Sequence, residues 1–238
     1  MKKVYLDNAA TTELDAEVLD VMLWSMKTDY GNPSSSHSFG RKTRSVIETS
    51  RKSIADLLNA DASEIFFTSG GTEADNMAIR GAVRDAGVKH IITSRIEHPA
   101  VVNTVAHLKN KDKVSVDYVN LNENGAVDLI HLEDLLSNNT NTLVSLMHGN
   151  NEIGNLLDIE SVSLLCQKYN ALFHSDTVQT VGHYVFDLKK VKIDFLTCSA
   201  HKFHGPKGVG FLYINKQVNI TPLIHGGSQE RDMRAGTE

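Results

Sequence analysis

A lysine at the end of an apolar, β-prone run is the first residue in this sequence whose setting suggests chemistry. Lys202 closes Ser199-Ala200-His201-Lys202, directly after the strand-like stretch Phe195–Ser199. Partial burial would lower its amine from the usual value of about 10.4 and leave a nucleophile able to form a Schiff base. The plainer alternative is a surface lysine leading into the Gly-rich loop Phe203-His204-Gly205-Pro206-Lys207-Gly208. That loop is not a Walker loop, because Lys207 is followed by Gly208 rather than Ser or Thr.

Three further groups stand in comparable places. Asp176 ends an apolar run within His174-Ser175-Asp176-Thr177-Val178-Gln179. A carboxylate there can keep a heterocyclic nitrogen protonated, or it can simply cap a helix. Ser69-Gly70-Gly71-Thr72-Glu73 joins a strand-like run to a helical one, where glycines admit a ligand and the first helical N–H groups face an anion. Read alone, it is equally a tight turn with Thr72 as N-cap. In Glu97-His98-Pro99, His98 could stack on a planar ring or move protons, although an isolated loop histidine usually does neither. Taken together these are an anion cradle, an amine, a carboxylate for a ring nitrogen and a planar side chain, the parts of a pyridoxal phosphate (PLP) site.

The elements that must position them alternate. Helices are expected at about 16–27 (apolar Val18, Val21, Met22, Leu23 and Trp24 on one broad side), 41–58, 73–84, after Pro99, 129–136 and 159–169. Strands are expected at 65–68, 90–94, 114–121, 143–147, 172–175, 195–199 and, hairpin-like, 209–214. Strands separated by helices imply an α/β fold with a mostly parallel sheet sandwiched by helices, and ligands then sit beyond the carboxyl ends of the strands.

Composition narrows the class. The 238 residues are 41% hydrophobic and 22% charged, the balance of a soluble globular protein. Lys plus Arg number 24 against 29 Asp plus Glu, which speaks against nucleic acid as a partner. The opening MKKVYLDNAATT holds too short an apolar run for a signal peptide, and no run approaches a membrane span, so a cytoplasmic location is expected. Two cysteines, Cys166 and Cys198, make neither a disulfide framework nor a metal-binding spacing, and no metal is expected. Cys166 reads as a buried small hydrophobe beside Leu164 and Leu165, and strand alternation places Cys198 in the core.

With these residues in place, the chain resembles the cysteine desulfurase family (NifS/IscS type) on the class V aminotransferase fold, which is the large domain of fold type I PLP enzymes. The resemblance rests on blocks in family order: Tyr5–Thr12, Gly31-Asn32-Pro33-Ser34-Ser35, Ser69–Glu73, Glu97-His98, Asn150-Asn151-Glu152-Ile153-Gly154, Asp176–Gln179, Ser199–Gly210 and Gly226–Thr237. It implies that Lys202 carries PLP, Asp176 pairs with the ring nitrogen, and Gln179 bonds the ring hydroxyl oxygen. By the same resemblance His98 stacks on the ring and assists proton transfer. Thr72 with the Gly71 backbone, Ser199 and His201 hold the phosphate, and Asn151 lies beside cofactor and substrate. Thr237 is implied to reach the phosphate of a partner subunit, hence a homodimer.

The implied reaction takes sulfur from L-cysteine, leaving L-alanine, and passes it as a persulfide to an acceptor such as an iron–sulfur scaffold protein or a thiolation pathway. A selenocysteine lyase, an aminotransferase or a non-catalytic PLP-binding protein would keep the same Lys202 and Asp176. The Asn150–Gly154 and Gln229-Glu230-Arg231 blocks favour the desulfurase. In the family, the nucleophilic cysteine and the arginine for the substrate carboxylate follow the block that ends here at Thr237. The expectation is therefore a PLP-binding large domain at 16–238 and an N-terminal segment at 1–15 that normally associates with a small C-terminal domain, itself absent. Apolar surface should then be exposed.

Overall fold

The computed structural model describes residues 3–238. Its seven-stranded sheet runs in the order β1-β7-β6-β5-β4-β2-β3. The strands are β1 (Ile65–Thr68), β2 (His90–Thr93), β3 (Ser115–Tyr118), β4 (Thr142–Ser145), β5 (Leu172–Asp176), β6 (Phe195–Ser199) and β7 (Gly210–Ile214). Strands β2 to β6 pair in parallel, and β7 runs antiparallel to both β6 and β1. The β6–β7 link spans only Ala200–Val209, without the crossover helix a parallel return requires, so β7 comes back antiparallel.

Strand alternation builds two cores. Ile91, Leu143, Phe195 and Leu212 face α3 (Gly71–Arg84) and α4 (Pro99–Lys111), meeting Ala74, Met77, Ala78 and Val101. Their neighbours Ile92, Val144, Leu196 and Phe211 face the opposite layer, where α2 (Ser38–Leu58), α5 (Leu129–Ser137) and α6 (Ile159–Lys168) supply Ala55, Leu58, Leu132, Leu136 and Val162. Every central strand is therefore apolar on both faces, as a sheet covered on both sides requires.

The expected elements are all present, with shifted ends. Helix α2 starts at Ser38 rather than Arg41 because His37 caps it, Nδ1 accepting from the Gly40 amide at 3.4 Å. Helix α3 starts at Gly71 rather than Glu73, since Gly70 at φ 140° makes the turn that only glycine adopts freely. Strand β3 ends at Tyr118, before a small turn closed by the bridge Leu121 to Val127. Helix α1 (Ala16–Thr28) forms as expected, capped by Asp15, but buries no residue. Its Val21, Trp24 and Met26 are each more than half exposed, as are Val4, Tyr5 and Leu6. No helix among the described residues is long and apolar enough to cross a membrane.

Candidate active site

The carboxyl ends of β2, β4, β5 and β6 and the turn after β1 open into one cavity of about 260 Å³. Nine of the ten residues expected from sequence line it: Gly71 and Thr72 from α3, His98 at the start of α4, Asn151 after β4, Asp176 and Gln179 from β5 and its turn, and Ser199, His201 and Lys202 after β6. The tenth, Thr237, is exposed and lies outside it.

One wall is an anion cradle. No side chain caps α3, so the first-turn amides, which have no partner within a helix, point outward from Gly71, Thr72 and Glu73. The expected alternative, Thr72 as N-cap, does not occur because Gly70 holds that position. A Cβ at Gly71 would lie 2.8 Å from Val178 Cγ2, so glycine is what lets the helix end close on the turn after β5. The first-turn Glu73 is drawn away, its carboxylate accepting from Arg234 at 2.9 Å and from the Ser69 amide at 2.8 Å. Ser199 and His201 face the cradle from β6.

The lysine sits in a short 3₁₀ turn, Ala200–Lys202. Its Nζ donates to the Ala9 carbonyl and, at 3.0 Å, to that of Ala10. Burial lowers its pKa, opposed by the charges of Asp176 and Asp7. Segment 9–15 is tied over this turn. The Thr12 amide donates to the His201 carbonyl at 2.9 Å, the His204 amide donates to Thr12 Oγ1 at 2.7 Å, and Gln179 Nε2 donates to the Ala9 carbonyl at 2.9 Å.

The floor is acidic and buried. Asp176 is buried, accepts from the Val178 amide at 2.9 Å, and is pushed up to about 7, first by burial and then by the charge of Asp75. His98 caps α4, its Nδ1 accepting from the Ala100 amide at 3.2 Å, which leaves the ring proton on Nε2. Behind it Glu97 is buried, accepting from Ser94 Oγ at 2.6 Å and from the Met147 amide at 2.8 Å, and burial pushes its pKa up to about 8. Those bonds fix the His98 loop to the end of β4. There Asn150 donates to the Ile96 carbonyl at 2.7 Å and accepts from the Glu152 and Ile153 amides, setting the turn that presents Asn151.

The parts played by two acidic residues here were not apparent from the sequence. Asp75 lines the cavity from α3, and its spacing of three from Thr72, the same helix face, was the available signal. The structural role of Glu97 was hidden because its partners come from β2 and β4. Cys166 and Cys198 are buried as expected, and burial pushes both thiols far up. Neither lines the cavity.

The residues present fit PLP: uncapped amides and hydroxyls for a phosphate, a partly desolvated amine, and a buried carboxylate for a ring nitrogen. The aminotransferase class-V family profile matches residues 4–237. Cysteine desulfurase IscS of Dictyoglomus turgidum is 49% identical over 240 residues, covering 100% of this chain and 60% of that protein. Cysteine desulfurase IscS of Methanosarcina thermophila is 47% identical, with 100% and 59% covered. A solved NifS-like protein superposes with a TM-score of 0.94 at 43% identity, covering 100% of this chain and 66% of that one. SspA, solved in complex with cysteine, gives 0.93 at 36% identity, with 99% and 69% covered. The chain spans about 60% of the length of the curated relatives it matches. The chain belongs to the aminotransferase class-V family.

Proposed function

We propose that this chain is the cofactor-binding part of a PLP-dependent cysteine desulfurase, converting L-cysteine to L-alanine with sulfur passed on as a persulfide. The observation that carries this reading is the single cavity onto which Lys202, Asp176, His98 and the α3 cradle converge. When bound, PLP supplies an electron-withdrawing ring that weakens bonds at the substrate's α-carbon.

The chain's own residues do the rest. Lys202, released from the Ala9 and Ala10 carbonyls, offers the partly desolvated amine that holds the cofactor. The amides of Gly71 and Thr72, with Ser199 and His201, hold the phosphate, and Gln179 turns from the Ala9 carbonyl to the ring hydroxyl. Asp176 holds a proton at the ring nitrogen. His98, fixed through Glu97, presents Nε2–H to the cavity and moves protons there. Asn151 flanks the substrate.

In balance, the substrate's C–S bond breaks, its sulfur forms an S–S bond with an accepting thiol, and a proton takes its place on carbon. The products are alanine and one persulfide. The accepting thiol is neither Cys166 nor Cys198, which are buried away from the cavity. Exposed Thr237, on a segment held by the Arg234–Glu73 pair, reaches the phosphate of a second subunit in a homodimer. The wider setting is cytoplasmic sulfur delivery to an acceptor protein such as an iron–sulfur scaffold. The exposed apolar faces of α1 and residues 4–6 are where a small C-terminal domain packs.

The test is product analysis of the PLP-loaded chain given L-cysteine with a small thiol as acceptor and, in parallel, L-cysteine with a keto acid and L-selenocysteine with the thiol. Alanine and transferred sulfur in equal amounts are expected. Amino transfer to a keto acid with no alanine would overturn this reading in favour of an aminotransferase, and turnover of selenocysteine alone would assign a lyase.

A further inference from the structure

Asp75 is a charge the reaction outlined above does not use. It sits in the second turn of α3, is 1% exposed, and its Oδ1 has no hydrogen-bond partner. A side-chain oxygen of Asp75, one of Asp176 and a ring nitrogen of His98 all lie within 4.8 Å of one another. Behind it His174 is fully buried. His174 Nδ1 lies 2.8 Å from Ser145 Oγ, and Nε2 lies 3.2 Å from Thr197 Oγ1 and 3.3 Å from Asp75 Oδ1. Burial pushes His174 down to about 4, so it stays neutral near pH 7 and offers Asp75 a dipole rather than a cation.

The groups facing the pair are His174 from β5, Glu97 and His98 before α4, the neutral buried Cys198 thiol on β6, and Lys202 after β6. Lys202 is the one permanent cation among them, and it is committed to the Ala9 and Ala10 carbonyls. Two buried carboxylates this close cannot both stay ionised without a positive charge between them and the opening. Asp75 is pushed up to about 7 by burial, opposed by Thr197, which matches the value for Asp176. An amide at position 75 would have suited the neighbouring hydroxyls and ring without this cost. The carboxylate therefore serves something cationic in the cavity.

We propose that Asp75 is a positioning residue that acts through Asp176, its negative charge raising the proton affinity of the site where Asp176 meets the ring nitrogen of PLP. This rests on the reading that PLP occupies the cavity. Acting through Asp176, Asp75 sets how far up the pH scale the ring nitrogen keeps its proton.

The experiment is NMR of the chain loaded with ¹⁵N-labelled PLP, followed against pH for wild type, Asp75→Asn and Asp75→Glu. The ¹⁵N shift reports protonation of the ring directly and needs no turnover. In Asp75→Asn the midpoint for losing the ring proton should fall by about 1 pH unit or more, and Asp75→Glu should restore most of it. Coincident titrations for wild type and Asp75→Asn would overturn the proposal while leaving PLP binding intact. Failure of the wild type to retain PLP would overturn the functional reading as well. If Asp75→Asn does not fold, ¹³C-carboxyl titration of cofactor-free wild type decides. Two aspartates sharing a proton near neutrality support the proposal, and ordinary acidic titration of both refutes it.

Discussion

Removing the charge of the buried Glu230 should destabilise the fold by about 3 kcal/mol. Arg51 and Glu230, 179 residues apart, form a paired, two-bond contact at 2.7 and 2.8 Å with side chains 1% and 2% exposed. Glu230 also accepts from the Phe67 amide at 2.7 Å, on the open edge of β1, and Arg51 donates to the Ile65 carbonyl at 2.9 Å. The guanidinium lies over the Phe67 ring, 4.7 Å from its centroid. Glu230→Gln keeps the shape but leaves Arg51 buried with only the half-exposed Glu48 as a counter-ion. Breaking a buried pair from one side costs about 3–5 kcal/mol. Glu48 compensates part of that, so the lower end, about 3 kcal/mol, is expected. With a urea slope of about 3 kcal/mol per molar for a chain of this size, the unfolding midpoint should fall by about 1 M. Arg51→Met with Glu230→Gln should regain much of the loss, because no uncompensated charge remains. A fall below about 0.3 M, equivalent to about 1 kcal/mol, would refute the reasoning and make the pair incidental.

Further outcomes follow from the buried acids and thiols. Glu97 at about 8 and Asp75 and Asp176 at about 7 hold protons in the fold that the unfolded chain has already lost near pH 6.5. Raised acids stabilise at low pH and lose that contribution as pH rises through their folded values. The cofactor-free chain should therefore lose about 3 kcal/mol between pH 6.5 and 8 by urea unfolding. Glu97→Gln should make the decline shallower, and an unchanged slope would remove Glu97 from the account. Cys166 and Cys198 should be silent to a thiol reagent in the folded chain and react only on unfolding, with rapid native labelling of either counting against their burial.

The site was legible in sequence to the extent that its residues follow strands. Lys202, Asp176, His98 and the Gly70-Gly71-Thr72 turn each sit where an apolar run stops, so topology alone brings them to one edge of the sheet. What was hidden depends on partners far apart in the chain. Nothing near Arg51 announces Glu230, and Glu97 reads as loop until the Met147 amide arrives from β4. Asp75 lies inside a helix whose Ala74, Met77 and Ala78 are core, so its polar face was masked by apolar neighbours. Helix α1 shows the converse: its apolar side is plain in sequence, yet in the fold none of it is fully buried and Val21, Leu23 and Trp24 are exposed.

The central claim is that Lys202 carries the cofactor, and the most direct measurement is borohydride reduction of the PLP-loaded chain followed by peptide mass mapping. The account predicts the phosphopyridoxyl mass on the peptide holding Lys202 and its loss in Lys202→Ala. A modified lysine elsewhere, or the same adduct yield in Lys202→Ala, would contradict it.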